Sequence, residues 1–252
     1  MDDIPGKIVG NTIGAGGFRR LIVRLERPLG RVTPGQFIML KIPEREVFLR
    51  RPFSIYDSRG KTLTVMYRVV GKGTDALAAA AAKAPVMVLG PLGRGFTVNK
   101  KNTCLVVAGG IGFAGVRMLL KRLGERGTLF LGVTTGDELK IAEDLEGSRL
   151  LTATLDGSRG FAGDVVSLLG RHLDEYRGKS PEVFACGPSG MVKSLRKLLE
   201  PSGIPCQVSV EERMACGMGL CFGCVVAMKD ETNPYKRVCK EGPVFSLWDL
   251  SL

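Results

Sequence analysis

The chain of 252 residues is 44% hydrophobic, carries a formal charge of +11 and holds seven Cys but one His. No stretch reaches the ~18 uncharged apolar residues of a membrane helix, and Met1-Asp2-Asp3 is not a basic start to an apolar leader, so neither a membrane span nor export is expected and the cytoplasm is. An odd cysteine count argues against a disulfide framework, a lone His172 against His-rich zinc sites, Rieske centres and Ser-His-Asp hydrolases, and scattered basic pairs with few aromatics against a nucleic-acid binder.

Residues 1–98 read as all-β. Short apolar runs at Leu21-Ile22-Val23, Phe37-Ile38-Met39-Leu40 and Leu63-Thr64-Val65-Met66-Tyr67 alternate with turn signals such as Pro34-Gly35 and Ser58-Arg59-Gly60. Many short strands with turns predict a small barrel. One helix is expected over about Asp75–Ala84, and Leu89-Gly90-Pro91-Leu92-Gly93 reads as a turn-rich close. The pattern changes in residues 99–210. Apolar strands at 104–108, 129–133, 150–155, 183–185 and 206–210 alternate with helical spacing at 114–126 and with helices around 138–146, 163–171 and 188–200. Alternation of this kind predicts a doubly wound parallel-sheet nucleotide domain. The fold class is thus multi-domain, β followed by α/β. The remainder, 211–252, is too small for its own core and needs a staple.

Four cysteines supply one. Cys216, Cys221, Cys224 and Cys239 follow C-x4-C-x2-C and then a 14-residue gap, and the first three match the plant-type spacing for a 2Fe-2S cluster. Gly217, Gly219 and Gly223 let the loop wrap a cluster and point amides at its sulfurs. The competing arrangement is a four-cysteine zinc ribbon, which uses two short C-x-x-C pairs; here Cys221 and Cys224 form one and Cys239 stands alone. Cys104 and Cys206 lie in apolar strands and read as core residues.

Three further segments carry site chemistry. Gly109-Gly110-Ile111-Gly112-Phe113-Ala114-Gly115 follows a strand and opens a helix, the setting of a pyrophosphate cradle; the alternative is a merely tight turn. Asp137 and Glu138, a little more than 20 positions on, incline the reading towards NAD rather than NADP. Arg51-Pro52-Phe53-Ser54 offers a guanidinium and a hydroxyl, and Gly71-Lys72-Gly73-Thr74 precedes a helix; each alone also fits an ordinary turn. Cys186-Gly187-Pro188 ends a parallel strand, where it either borders a nicotinamide or is a plain strand-to-helix turn with a buried thiol.

Taken together, Arg51-Pro52-Phe53-Ser54, Gly71-Lys72-Gly73-Thr74, Gly109-Gly110-Ile111-Gly112 and Cys186-Gly187-Pro188 resemble, in that order, the motifs of the ferredoxin-reductase family. Gly115 departs from it, since Pro is usual there. The string Glu211-Glu212-Arg213-Met214-Ala215-Cys216-Gly217, with Val238-Cys239-Lys240-Glu241-Gly242-Pro243, resembles the electron-transfer subunits of NAD-linked (type B) dihydroorotate dehydrogenases. The resemblance implies an N-terminal flavin-binding β-barrel holding FAD through Arg51, Ser54, Arg68, Val69, Val70, Gly73 and Thr74, and a 2Fe-2S cluster on the four cysteines. It also implies an FMN-containing catalytic partner in a two-plus-two heterotetramer, and electron flow from that partner through cluster and FAD to NAD during pyrimidine synthesis. Sister systems share parts of this layout: the flavin subunit of anaerobic sulfite reductase, and the small subunit of a ferredoxin:NADP oxidoreductase. A flavin is needed in such a path because nicotinamide exchanges electrons in pairs and a cluster singly.

Overall fold

The computed structural model describes residues 3–42, 47–99 and 101–252. Seven strands form the first sheet: β1 (Ile4–Ile13), β2 (Phe18–Leu25), β3 (Phe37–Lys41), β4 (Arg51–Ser54), β5 (Asp57–Arg59), β6 (Thr62–Arg68) and β7 (Pro85–Leu92), with helix α1 (Lys72–Ala78) before the last. Their order is β4-β3-β7-β1-β2-β6-β5. The two outer strands belong to one continuous stretch of chain. Ile55 N–H donates to Gln36 O and Tyr56 N–H to Thr64 O, so residues 51–59 pair with one edge and then the other, closing the barrel. Leu21, Val23, Ile38, Leu63, Val65 and Val88 fill it.

Strand β1 has no counterpart in the sequence expectations because Pro5, Gly6 and Gly10 break its apolar alternation. Gly6 is required by packing: a Cβ there would stand 2.9 Å from Val23 Cγ1. The expected helix at 75–84 instead begins at Lys72 and stops at Ala78. Thr74 Oγ1 accepts from the Val70 and Gly71 amides at its start. Beyond its end, Lys83 N–H donates to Ile8 O and Ile8 N–H to Ala84 O, so that backbone is committed to β1. The expected turn at 89–93 is largely the end of β7.

The second sheet contains β8 (Thr103–Gly109), β9 (Gly127–Val133), β10 (Arg149–Thr154), β11 (Phe161–Ala162), β12 (Pro181–Cys186), β13 (Cys206–Ser209) and the C-terminal β16 (Val244–Ser246). Its order is β11-β10-β9-β8-β12-β13-β16, parallel except for the last pair. Alternate residues of β8 feed two layers: Cys104, Val106 and Ala108 pack towards α2 (Phe113–Leu123), while Leu105 and Val107 face α3 (Val165–His172) and α4 (Ser189–Leu199). Asp164 caps α3 by accepting from the Val166 and Ser167 amides. The helix expected around 138–146 is a short 3-10 helix, Gly136–Ala142. Its acidic residues are turned outward to the barrel: Asp137 accepts from Gly16 N–H and Glu138 pairs with Arg68.

After β13 come a small hairpin, β14 (Val225–Ala227) with β15 (Tyr235–Arg237), and then β16 on the edge of the large sheet. Val238, Phe245, Leu247 and Leu250 join the α3/α4 core. The C-terminal segment therefore gains burial from the nucleotide domain as well as from anything its cysteines bind. No helix among the described residues is long and apolar enough to cross a membrane.

Candidate functional site

Strand order decides where ligands go. From β8 the chain winds outward through β9, β10 and β11, whereas β12 lies on the other side of β8. The crevice at the carboxyl ends of β8 and β12 is thus a topological switch point. Gly109 ends β8, Cys186 ends β12, and Ala108 is opposite Cys186. Two glycine-bearing loops that are 70-odd residues apart in sequence are brought side by side by that register.

They wall a cleft of about 630 Å³, lined by Gly109, Gly110, Gly112, Gly187 and Pro188. Gly110 has φ 53°, a left-handed conformation that favours glycine. At Gly112 a Cβ would run into the Cys186 carbonyl oxygen. Glu138 also lines the cleft, held by Arg68 at 2.7 Å and by the Thr134 amide at 3.0 Å; Asp137 does not.

A second cavity of about 350 Å³ opens between barrel and sheet. Arg51, Pro52, Phe53 and Ser54 of β4 line one side; Arg68, Val70 and Thr74 line the other. Gly73 lies beneath, where a Cβ would collide with the Arg51 guanidinium. Val69 lies outside the lining and is exposed. Arg68 reaches both cavities, and its buried Nε has no partner. A cavity of this volume, with the Arg51 and Arg68 guanidinium groups and the Ser54 and Thr74 side chains among its lining, suits a phosphate-bearing dinucleotide flavin.

Cys186 lines neither cavity. Its side chain is buried under Gly115, where a Cβ would stand 2.8 Å from Cys186 Sγ and 3.5 Å from Ser54 Oγ. Burial first, then the Glu211 carboxylate, push this thiol up to about 12 against the Ser209 hydrogen bond, so it stays neutral at pH 7. Its place is behind the cavities, as packing for the loop that follows.

Glu211 was not singled out by its own chemistry in the sequence, yet it lines both cavities at their junction. The residue is exposed by surface area, yet protein atoms crowd around its carboxyl. That enclosure raises its carboxyl above the ordinary glutamate range. The available signal was positional: Glu211 follows β13, at the carboxyl end of a parallel strand.

The tail cysteines are tied in by backbone amides. Cys216 and Cys221 share one loop, and the Cys239 amide donates to Cys224 Sγ at 3.5 Å. The Met218 amide points at Cys216 Sγ and that of Gly223 at Cys221 Sγ, both at 3.4 Å. Burial opposes ionisation of Cys216, but the amides of Met218, Cys221 and Leu220 bring its thiol down to about 6. Among the described residues no group of three or more His, Cys, Asp or Glu is arranged for a metal ion. Amide-solvated sulfurs suit a thiolate cluster.

A flavin-sized cavity between a closed barrel and a parallel sheet, a dinucleotide cleft at a switch point and a cysteine tail define a protein of the ferredoxin-reductase type. Comparison with known proteins agrees. Residues 211–251 match the family model for the iron-sulfur cluster binding domain of dihydroorotate dehydrogenase B. The electron transfer subunit of dihydroorotate dehydrogenase B (NAD(+)) from Enterococcus faecalis is 38% identical over 87% of both chains. The subunit of the same name from Caldanaerobacter subterraneus subsp. tengcongensis is 35% identical over 84% of both. Among solved structures, one of the NADH-dependent reduced ferredoxin-NADP oxidoreductase, studied for flavin-based electron bifurcation, superposes with a TM-score of 0.83 and 25% identity, covering 98% of this chain and 89% of that one. A ferredoxin NADP+ reductase from Neisseria gonorrhoeae with bound FAD and NADP shares the fold at a TM-score of 0.68 and 18% identity, over 96% of this chain and 99% of that one. The chain belongs to the family of electron-transfer subunits of NAD-linked dihydroorotate dehydrogenase B.

Proposed function

We propose that this chain passes electrons from the FMN-containing catalytic subunit of a dihydroorotate dehydrogenase, through a 2Fe-2S cluster and FAD, to NAD in pyrimidine synthesis. The observation that carries the reading is the set of backbone amides aimed at Cys216, Cys221 and Cys224, the last of them from Cys239, together with a cavity between barrel and sheet and a switch-point cleft. When bound, FAD supplies chemistry that exchanges electrons either in pairs with nicotinamide or singly with a cluster.

The chain's own residues position these groups. Arg51, with Gly73 beneath it and Thr74 capping α1, is assigned to the flavin phosphates; Pro52, Phe53 and Ser54 to the ring side; Arg68, Val69 and Val70 to the cofactor's length. Gly109, Gly110 and Gly112 are assigned to the NAD pyrophosphate at the start of α2, and Cys186, Gly187 and Pro188 to the backing and rim of the nicotinamide side. Glu211, at the junction, limits how the two rings approach. The functional units run over 1–98 for FAD, 99–210 for NAD and 211–252 for the cluster.

The cysteine loop also supports the partner assignment. Met218, Leu220 and Phe222 are exposed on it, an apolar rim around the redox centre of the kind that docking buries. We assign that rim to the FMN subunit, in a two-plus-two assembly in the cytoplasm. The alternative of a ferredoxin:NADP oxidoreductase small subunit has the structural likeness at 25% identity, while the relatives at 35–38% carry the dihydroorotate name. Anaerobic co-purification with an FMN-dependent dihydroorotate oxidase tests the reading. A stable complex that reduces NAD with dihydroorotate is expected; iron-free, colourless protein after reconstitution, or no dihydroorotate-dependent NAD reduction by the reconstituted pair, overturns it.

A further inference from the structure

Arg237, the last residue of β15, lies two positions before Cys239 but points across the cysteine loop. Its NH1 donates to Gly219 O at 2.8 Å, its Nε to Glu241 at 3.0 Å and its NH2 to Glu241 at 2.5 Å. Its guanidinium carbon lies 4.7 Å from the Phe222 ring centroid. One side chain thus touches the 216–221 loop, the 221–224 loop and the segment carrying Cys239. Gly219 makes this contact possible: its φ is 79°, and a Cβ there would stand 2.9 Å from Lys240 Cδ.

The acceptor matters more than the bracing. The Gly219 carbonyl that takes the Arg237 bond lies in the loop whose Met218 amide donates to Cys216 Sγ at 3.4 Å. The bond fixes a guanidinium charge against the cysteine loop. Amide donors to sulfur and positive charge nearby favour the more negative, reduced form of a thiolate cluster. Glu241, on the far side of the guanidinium, opposes that charge. Both of its carboxylate oxygens take the guanidinium, one from Nε and one from NH2, so the two charges are held face to face.

We propose that Arg237, fixed on the cysteine loop at the Gly219 carbonyl, is a positioning residue whose charge raises the reduction potential of the cluster, with Glu241 setting how much of that charge is felt. This rests on the 2Fe-2S reading of the four cysteines. It is separable from that reading, because the test first asks whether iron and sulfide are present and then where the cluster titrates.

The test is an EPR-monitored redox titration of the full chain, with FAD and cluster loaded, for wild type, Arg237→Gln, Arg237→Lys and Glu241→Gln. Arg237→Gln is expected to weaken the cluster's electron affinity about tenfold, a fall of about 59 mV for one electron. Arg237→Lys, which keeps the charge but loses the planar fork, falls between. Glu241→Gln moves the potential the opposite way, upward. A brace with no electrostatic role would leave the potential unmoved, or move it the same way in both Arg237→Gln and Glu241→Gln, and either result overturns the proposal. Should Arg237→Gln fail to assemble a cluster, the upward shift in Glu241→Gln decides: its absence sinks the idea.

Discussion

The Tyr56 phenol, from the barrel, donates to Asp144 Oδ1 of the nucleotide domain at 2.6 Å, across 88 residues of sequence. Asp144 also takes Arg20 at 3.2 Å and Arg117 at 3.4 Å, and both guanidinium groups lie over the Tyr56 ring. Burial above all, then Asp144, raises the phenol's pKa, so the hydroxyl remains a donor throughout the working range. The cavity assigned to the flavin lies between the same two domains, so this latch helps to set its width. Tyr56→Phe is expected to cost about 1.5–3 kcal/mol, as for hydrogen bonds to charged groups, read as a lower Tm.

Asp57, next in sequence, adds a pH-dependent share. Burial tends to raise its carboxyl, but Lys121 at 3.0 Å and the Ser58 amide outweigh that and hold it below the ordinary value. A depressed folded pKa stabilises the protein above the unfolded value of about 3.9, and that contribution is lost as pH falls through the folded pKa. With the pair partly solvent-screened, Asp57→Asn is expected to cost about 0.5–1 kcal/mol at pH 7. The difference from wild type should shrink in denaturant titrations as pH falls below the unfolded value of about 3.9 and through the lower folded one; a constant difference across pH would contradict the assignment.

Glu211→Gln should slow NADH-dependent flavin reduction by about tenfold to 100-fold, the scale of a small misplacement of reacting groups. Stopped-flow bleaching of the flavin reads this directly. The cluster spectrum should be unchanged, since Glu211 lines the two nucleotide cavities.

Gly73→Ala places a methyl group where the Arg51 guanidinium lies. The arginine has to move, so FAD retention should fall about tenfold or more, with the cluster intact. Equilibrium dialysis of FAD checks it, and an unaltered Kd would remove Arg51 from the phosphate site.

Cys224→Ser should abolish normal cluster assembly and electron transfer to NAD while leaving FAD bound. Cys224 is buried among the residues that join the tail to the α3/α4 core, so some loss of Tm is also expected. Iron content and visible absorbance, measured anaerobically, separate the two effects.

Much of this protein is written locally in its chain. The C-x4-C-x2-C run, the glycine loop after β8 and the Arg51–Ser54 segment were legible because spacing along a few residues limits what a backbone can wrap. The parallel sheet was legible because apolar runs alternate with helical spacing. Contacts between distant segments left no such trace. The bond from the Cys239 amide to Cys224 Sγ, the closure of the barrel by residues 51–59, the placing of Glu211 between two cavities and the Tyr56–Asp144 latch all join residues with no shared periodicity. Chain order settled which chemistry is present; packing and strand register settled which groups meet, because only folding brings distant side chains within the few ångströms over which hydrogen bonds and charges act.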